Sequence, residues 1–269
     1  MTNEKNGVIL LNMGGPDTLN DVQPFLYNLF SDREIIRLGP FFMQKFLARI
    51  ISRRRAPKSR AIYEQIGGGS PLKELTLRQA KALEDELAAD GDWFVTLAMR
   101  YWPPHADSAI QLLLRQNIRR ITALTLYPHY SRATTGSSVQ DLHRHLKKHG
   151  PGTELTVISS YPTQPSYIKA LVDNINQGLK NFEDEAVEIV YSAHSLPVSF
   201  IEEGDPYVDH IKETIMAIEK YTGHPGRLCY QSRSGPVEWL SPSTPEMLNS
   251  LAAEGCKNIL MVPISFVSD

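Results

Sequence analysis

Seven short apolar runs, separated by stretches of helical spacing, limit how this chain can fold. They lie at 7–12, 93–99, 121–127, 154–159, 187–192, 228–231 and 258–264. Most are continuously apolar rather than alternating, the pattern of strands covered on both faces of a parallel sheet. Parallel neighbours need long crossovers, and helix-like segments fill the gaps. Ser70 before Pro71 predicts a helix start, with the helix running to about Ala88. Thr244-Pro245-Glu246 repeats that signal, and Gly255 stops the helix. Another helix is expected from about Thr135 to Gly150. The fold class expected is α/β, built from parallel sheets flanked by helices.

The chain also repeats itself weakly. Gly7–Pro16 resembles Val187–Pro197: a strand, then small residues, then proline. Val95–Ser131 resembles Leu228–Ser265. Each has a strand, an arginine (Arg100 or Arg233), a proline-containing loop, a helix and a second strand ending in proline (Pro128 or Pro263). α/β units also resemble one another by composition. A true repeat predicts two similar Rossmann-like domains around a cleft, 1–150 and 151–269, with the boundary near Gly150-Pro151-Gly152. Met13, Arg100, Tyr130, His194 and Arg233 would then sit just beyond strand carboxyl ends and line one crevice. That edge is where open α/β sheets place their ligands.

Composition narrows the partners. The 28 basic and 30 acidic residues leave a net charge of −2, and nothing in that balance asks for nucleic acid. Cys229 and Cys256 show no metal-ligand spacing and predict reduced cysteines in a cytosolic protein. No apolar stretch reaches the ~18 residues of a membrane span. The polar start, Met1 to Asn6, carries no secretory apolar region, so the expected location is cytoplasmic.

Individual motifs then carry chemistry. His194 follows a buried run and precedes Pro197, which cannot continue a sheet ladder. It can take a proton or bind a metal near neutral pH, and the spacing equally accommodates a hydrogen-bonded turn histidine. From Phe42 onward, residues 35–52 have amphipathic helical spacing. Such a helix packs on the core, forms an apolar lip over a flat ligand, or touches a membrane surface. Arg53, Arg54, Arg55 and Lys58 follow it and suit either carboxylates or solvent. Gly67-Gly-Gly-Ser-Pro71 lacks a P-loop ending and reads as a turn and cap, or an anion cradle. His143, His145 and His149 share a helix with Arg144, Lys147 and Lys148, which predicts a solvated face. Tyr101, Trp102 and Trp239 are aromatic rings in strand-end loops, suited to a planar conjugated ligand or to a core.

Together these motifs resemble the ferrochelatase family. The matching segments are Leu11-Asn-Met-Gly-Gly-Pro16, Arg54-Arg-Ala-Pro-Lys58, Tyr63 through Pro71, Arg100-Tyr101, Tyr127-Pro-His-Tyr-Ser131 and Thr134-Thr-Gly-Ser-Ser138. Ser192-Ala-His-Ser-Leu-Pro197, Gly204-Asp-Pro-Tyr207, Gln231-Ser232, Gly235-Pro236, Trp239-Leu240 and Asn258 through Asp269 continue the series in family order. The resemblance implies an enzyme of haem synthesis, a lyase that inserts ferrous iron into protoporphyrin IX to form protohaem. Its partners would be the porphyrin and ferrous iron, and the amphipathic 35–52 stretch leaves a peripheral membrane contact open. It implies metal binding or pyrrole deprotonation by His194. It implies a porphyrin pocket lined by Met13, Tyr63, Arg100, Tyr101 and Trp239, and propionate contacts from Arg55, Lys58, Ser70 and Ser232. Met13 in place of tyrosine is closer to members that use protoporphyrin than to those that use coproporphyrin. No cysteine cluster for an iron–sulfur centre is expected.

One departure stands out. Family members continue past the Ser-Asp pair with His-Ile-Glu-Thr, and that glutamate works opposite the central histidine. This chain stops at Asp269. The expectation is a chain lacking the family's C-terminal segment, with the alternative of a tetrapyrrole-binding fragment without catalysis.

Overall fold

The computed structural model describes residues 5–183, 185–233, 235 and 237–268. Pro236 and Asp269 of the motifs above, and positions 1–4 of the polar start, lie outside the described residues. The chain divides into two compact units. One holds the chain up to Leu126 together with Arg132–Ser159, and the other holds Tyr127–Ser131 with Ser160–Val267.

The first unit carries four parallel strands: β1 (Asn6–Asn12), β2 (Trp93–Met99), β3 (Arg120–Thr125) and β4 (Glu154–Ile158), in the order β2-β1-β3-β4. Val8, Ile9, Leu10 and Leu11 are all buried, which is why β1 reads as an unbroken apolar run. Its helices are α1 (Val22–Ser31), α2 (Gln44–Gln65), α3 (Leu72–Leu87), α4 (Ala106–Arg115) and α5 (Ser137–His149). Ile110 and Leu113 of α4 and Leu142 and Leu146 of α5 close over Ile9, Leu11, Ile121 and Ala123 of the sheet. α2 buries a stripe at Ala48, Ser52 and Ala56, a four-residue spacing that places all three on one face. Phe41 and Phe42, in the 3-10 turn just before it, and Phe46 in its first turn are exposed, at 82%, 82% and 62%. Arg53, Arg54, Arg55 and Lys58 on the same helix are also exposed.

In the second unit β5 (Glu188–His194), β6 (Gly226–Gln231) and β7 (Ile259–Pro263) form a parallel sheet in the order β6-β5-β7. Its helices are α6 (Pro165–Leu179), α7 (Val198–Glu202), α8 (Tyr207–Thr222) and α9 (Thr244–Ala253). The strand orders β2-β1-β3 and β6-β5-β7 correspond one to one, matching the sequence repeat. Val190 and Cys229 of the sheet pack against Met247 and Leu251 of α9.

Three sequence expectations shift. The chain leaves the first unit after Ser159, not at Gly150-Pro151-Gly152. That turn only ends α5, because β4 beyond it pairs with β3 from Arg120↔Glu154 to Leu124↔Ile158. α9 is capped by Ser243 rather than Thr244. The Ser243 hydroxyl accepts from the Glu246 amide at 3.4 Å, and Glu246 accepts from the Ser243 amide at 2.6 Å, a reciprocal box that fixes the start. α3 begins at Leu72 with Pro71 at its cap position and no side-chain cap bond. The Ser70 hydroxyl accepts weakly from the Leu72 amide, at 3.3 Å. Among the described residues no helix is long and apolar enough to cross a membrane.

Candidate active site

The second unit holds the chemically available group. His194 is the last residue of β5, where the sheet runs out and Pro197 bars its continuation. Its backbone is clamped on both sides. The amide donates to Ser265 Oγ, and the carbonyl accepts from the Tyr207 hydroxyl at 3.0 Å. Tyr207 and Ser265 also share a hydrogen bond of 3.1 Å, which ties the start of α8 to the loop after β7. The imidazole is half-buried, with its ring 6.3 Å from that of Phe266. Among the described residues neither ring nitrogen has a hydrogen-bond partner. Burial pushes its pKa below the ordinary imidazole value, so the ring is neutral at pH 7 and presents a lone pair.

The loops around it are stitched together. Leu240 donates to the Leu196 carbonyl at 3.0 Å and Val198 to that of Glu238 at 2.9 Å, which seats Trp239 against Pro197. The indole N–H of Trp239 is buried and has no partner among the described residues. Ser232, just past β6, is exposed and holds φ at 69°, the left-handed region that costs a non-glycine residue of order 1 kcal/mol.

At the strand ends of the first unit the groups are engaged instead. Arg100 donates from Nε to Ser137 Oγ at 2.7 Å and from Nη2 to Asp32 Oδ2 at 2.9 Å, and its guanidinium lies 5.0 Å over the Tyr101 ring. Tyr101 is 2% exposed and donates its hydroxyl to the same Asp32 oxygen at 2.8 Å. Burial alone would raise the Asp32 pKa. Hydrogen bonds from Ser137, the Glu34 amide and Tyr101, with the Arg100 charge, outweigh it and hold the carboxylate below its usual range. Met13 and Tyr63 pack as half-buried members of the apolar cluster that includes Tyr101, Phe30 and Ala56. Arg55 stacks over the Phe30 ring at 5.6 Å.

The two glycine-rich loops of this unit serve each other. Ser70 donates its amide to the Pro16 carbonyl at 2.8 Å. A Cβ on Gly15 would lie 2.5 Å from Ser70 Oγ, and one on Gly69 would lie 2.3 Å from the Asp17 carbonyl oxygen. Only glycine allows that approach.

Sequence comparison decides the family. A model of the ferrochelatase family, described as "Ferrochelatase", matches residues 5–269. The "Ferrochelatase" of Desulfotalea psychrophila is 64% identical over 269 residues, covering 100% of this chain and 84% of that protein. The "Ferrochelatase" of Geotalea daltonii is 54% identical over 268 residues, covering 99% and 83%. "Ferrochelatase-2, chloroplastic" of Cucumis sativus is 46% identical over 278 residues, covering 99% of this chain and 54% of that protein.

The chain belongs to the ferrochelatase family. It is a haem-biosynthesis enzyme that inserts a metal into a porphyrin. Within this ferrochelatase frame the first unit brings Met13, Tyr63 and Tyr101 into one cluster with Arg100 beside it. Arg55, Lys58 and Ser70 lie on α2 and just before α3 of the same unit, while His194, Ser232 and Trp239 belong to the second. Sequence reasoning missed the residues that hold these in place. Asp32 and Ser137 fix Arg100 across 68 and 37 positions, and Tyr207 and Ser265 fix His194. Ser137, Tyr207 and Ser265 stood inside matched motifs, but nothing in a linear sequence pairs Asp32 with Arg100.

Proposed function

We propose that this chain inserts ferrous iron into protoporphyrin IX to give protohaem, with His194 as the group that accepts pyrrole protons. The observation that carries this reading is a half-buried, neutral imidazole at a strand end, with both nitrogens free of partners among the described residues. Insertion breaks two pyrrole N–H bonds and forms four metal–nitrogen bonds, so two protons must leave. An imidazole below its ordinary pKa is unprotonated at pH 7 and takes each proton in turn before passing it to solvent. The backbone clamp by Tyr207 and Ser265 holds the ring's origin fixed while the proton moves. The same lone pair could ligate the incoming iron.

Met13 and Tyr63 act as apolar contacts of the first unit for the macrocycle, and Trp239 has that role in the second. Arg100 and Tyr101 act as positioning residues, because the Asp32 and Ser137 bonds fix them. Arg55, Lys58, Ser70 and Ser232 serve the propionates. The exposed guanidinium of Arg55 and the strained, exposed Ser232 suit carboxylate recognition. Phe41, Phe42 and Phe46 form an exposed apolar lip around the start of α2 that meets the porphyrin or a membrane surface.

A paired assay tests the reading on this 269-residue chain. Porphyrin binding is followed by fluorescence quenching, and metal insertion by the emission of the zinc porphyrin. Insertion that His194→Ala abolishes, with quenching retained, is the expected result. Quenching without insertion by the unaltered chain would instead leave a tetrapyrrole-binding protein. Zinc binding without porphyrin that vanishes in His194→Ala would assign His194 to the metal rather than the proton.

A further inference from the structure

A second donor cluster, contained within the first unit, plays no part in the porphyrin chemistry above. α4 presents Asp107 in its first turn, and α5 presents His145 and His149 one turn apart. His145 Nδ1 lies 3.1 Å and His149 Nε2 2.6 Å from one oxygen, Asp107 Oδ1. One ligand atom from each of the three residues falls within 4.8 Å of the others. The two imidazoles lie parallel, 6° between planes. The expected solvated face of α5 is found for His143, Arg144, Lys147 and Lys148, which are exposed, but not for His145 and His149, which are half-buried.

We propose that Asp107, His145 and His149 bind a divalent first-row transition ion of the zinc type. Two imidazoles and one carboxylate form a donor set that such ions take, with positions left for water. Histidines at i and i+4 on one helix reach the same point, and the carboxylate comes from a second helix packed on the first. Donors around a tetrahedral zinc stand roughly 3.4 Å apart. The Asp107 oxygen must therefore withdraw by under about 1 Å from each ring to admit an ion. Its side chain, 37% exposed, has room to do so.

The outer groups favour the same assignment. His145 Nε2 faces Asp141 Oδ1 at 3.6 Å. That is too long for a direct hydrogen bond, but once an ion takes Nδ1 the ring proton sits on Nε2, where the buried Asp141 carboxylate faces it. Arg144 of α5 is bound to that same Asp141 oxygen at 2.8 Å. Lys148 Nζ stands 4.0 Å from Asp107 Oδ1 and is 68% exposed, so an arriving ion displaces it to solvent. The rival account is a carboxylate that only accepts hydrogen bonds from two histidines, and it predicts no ion uptake.

The test measures Zn2+ uptake by the His194→Ala chain through equilibrium dialysis, with Co2+ as a visible-absorption probe. The expected result is one ion per chain, with ligand-field bands, both lost when His145→Ala and His149→Ala are added. Asp141→Asn in the same background weakens uptake by ~10–100-fold, the usual effect of losing an outer partner of a metal-bound histidine. If the histidine double substitution fails to fold, Asp107→Asn replaces it and must also remove the ion. No uptake by His194→Ala, or uptake that these substitutions leave unchanged, overturns the proposal. Every arm lacks His194, so the result here and the result for porphyrin metallation are independent.

Discussion

Arg100, past an edge strand of one sheet, and His194, at the end of the central strand of the other, both stand at strand carboxyl ends, yet their side chains are treated in opposite ways. Arg100, just past β2, has Nε and Nη2 engaged by Ser137 and Asp32, and its flat face lies over Tyr101. His194, at the end of β5, is gripped by its backbone alone, and its ring nitrogens stay free among the described residues. A guanidinium keeps its charge at any working pH, so the fold can use it as a building element. An imidazole titrates near neutrality and is useful for chemistry only while its lone pair is available. The contrast separates a cation that the fold of one unit uses as a building element from an imidazole that the other unit leaves available for chemistry.

The comparison breaks most directly at His194. His194→Ala should lower metal insertion by about 10²–10⁴-fold, the range for a lost general base, with porphyrin quenching changed far less. The zinc-insertion and quenching assays read both, and an equal loss in the two would make His194 a binding residue. At Arg100 the cost should fall on folding. Arg100→Ala leaves the Asp32 carboxylate buried without its cation, a loss of about 3–5 kcal/mol in urea unfolding. Arg100→Lys should recover part of this, since an ammonium keeps the charge but cannot bridge Ser137 and Asp32 together.

A third effect sharpens the same division by pH. His129 is 1% exposed, and burial, then the nearby His210 charge, lower its pKa from 6.5 to about 3. Below pH 6.5 the unfolded chain gains a proton that the folded chain refuses. The stability from a neutral His129 is thus complete above 6.5 and drains as pH falls toward 3, by a few kcal/mol at most. Urea midpoints at pH 7 and pH 5 check this, and His129→Gln should flatten the difference. The smallest effect is expected at the outward lip. Phe41→Ser with Phe42→Ser should leave stability within about 0.5 kcal/mol and weaken porphyrin or vesicle binding several-fold. Sedimentation with anionic vesicles and porphyrin quenching tell the two ligands apart.

Much of this frame was legible in the sequence. Buried parallel strands must be apolar on both faces, so Val8 to Leu11 and Ile189 to Tyr191 announced themselves as unbroken runs. The place of His194 at a strand end was legible because Pro197 ends what the run begins. The start of α9 slipped by a residue because Ser243 and Thr244 are both competent caps, and only geometry selects the hydroxyl that reaches Glu246. The unit boundary was misplaced because a glycine-proline turn marks the end of a helix as readily as the end of a domain. Asp107 lies 38 and 42 residues from its two histidines, so the charged neighbours on α5 dominated the linear reading and the facing carboxylate did not enter it.

The most direct test follows the His194 imidazole by nitrogen NMR while metal insertion is measured across the same pH range. The account predicts a ring that titrates below 6.5, an acid limb of insertion activity at that same pKa, and loss of the limb in His194→Ala. A ring that titrates at or above 6.5, or an acid limb that ignores the ring's protonation, would contradict it.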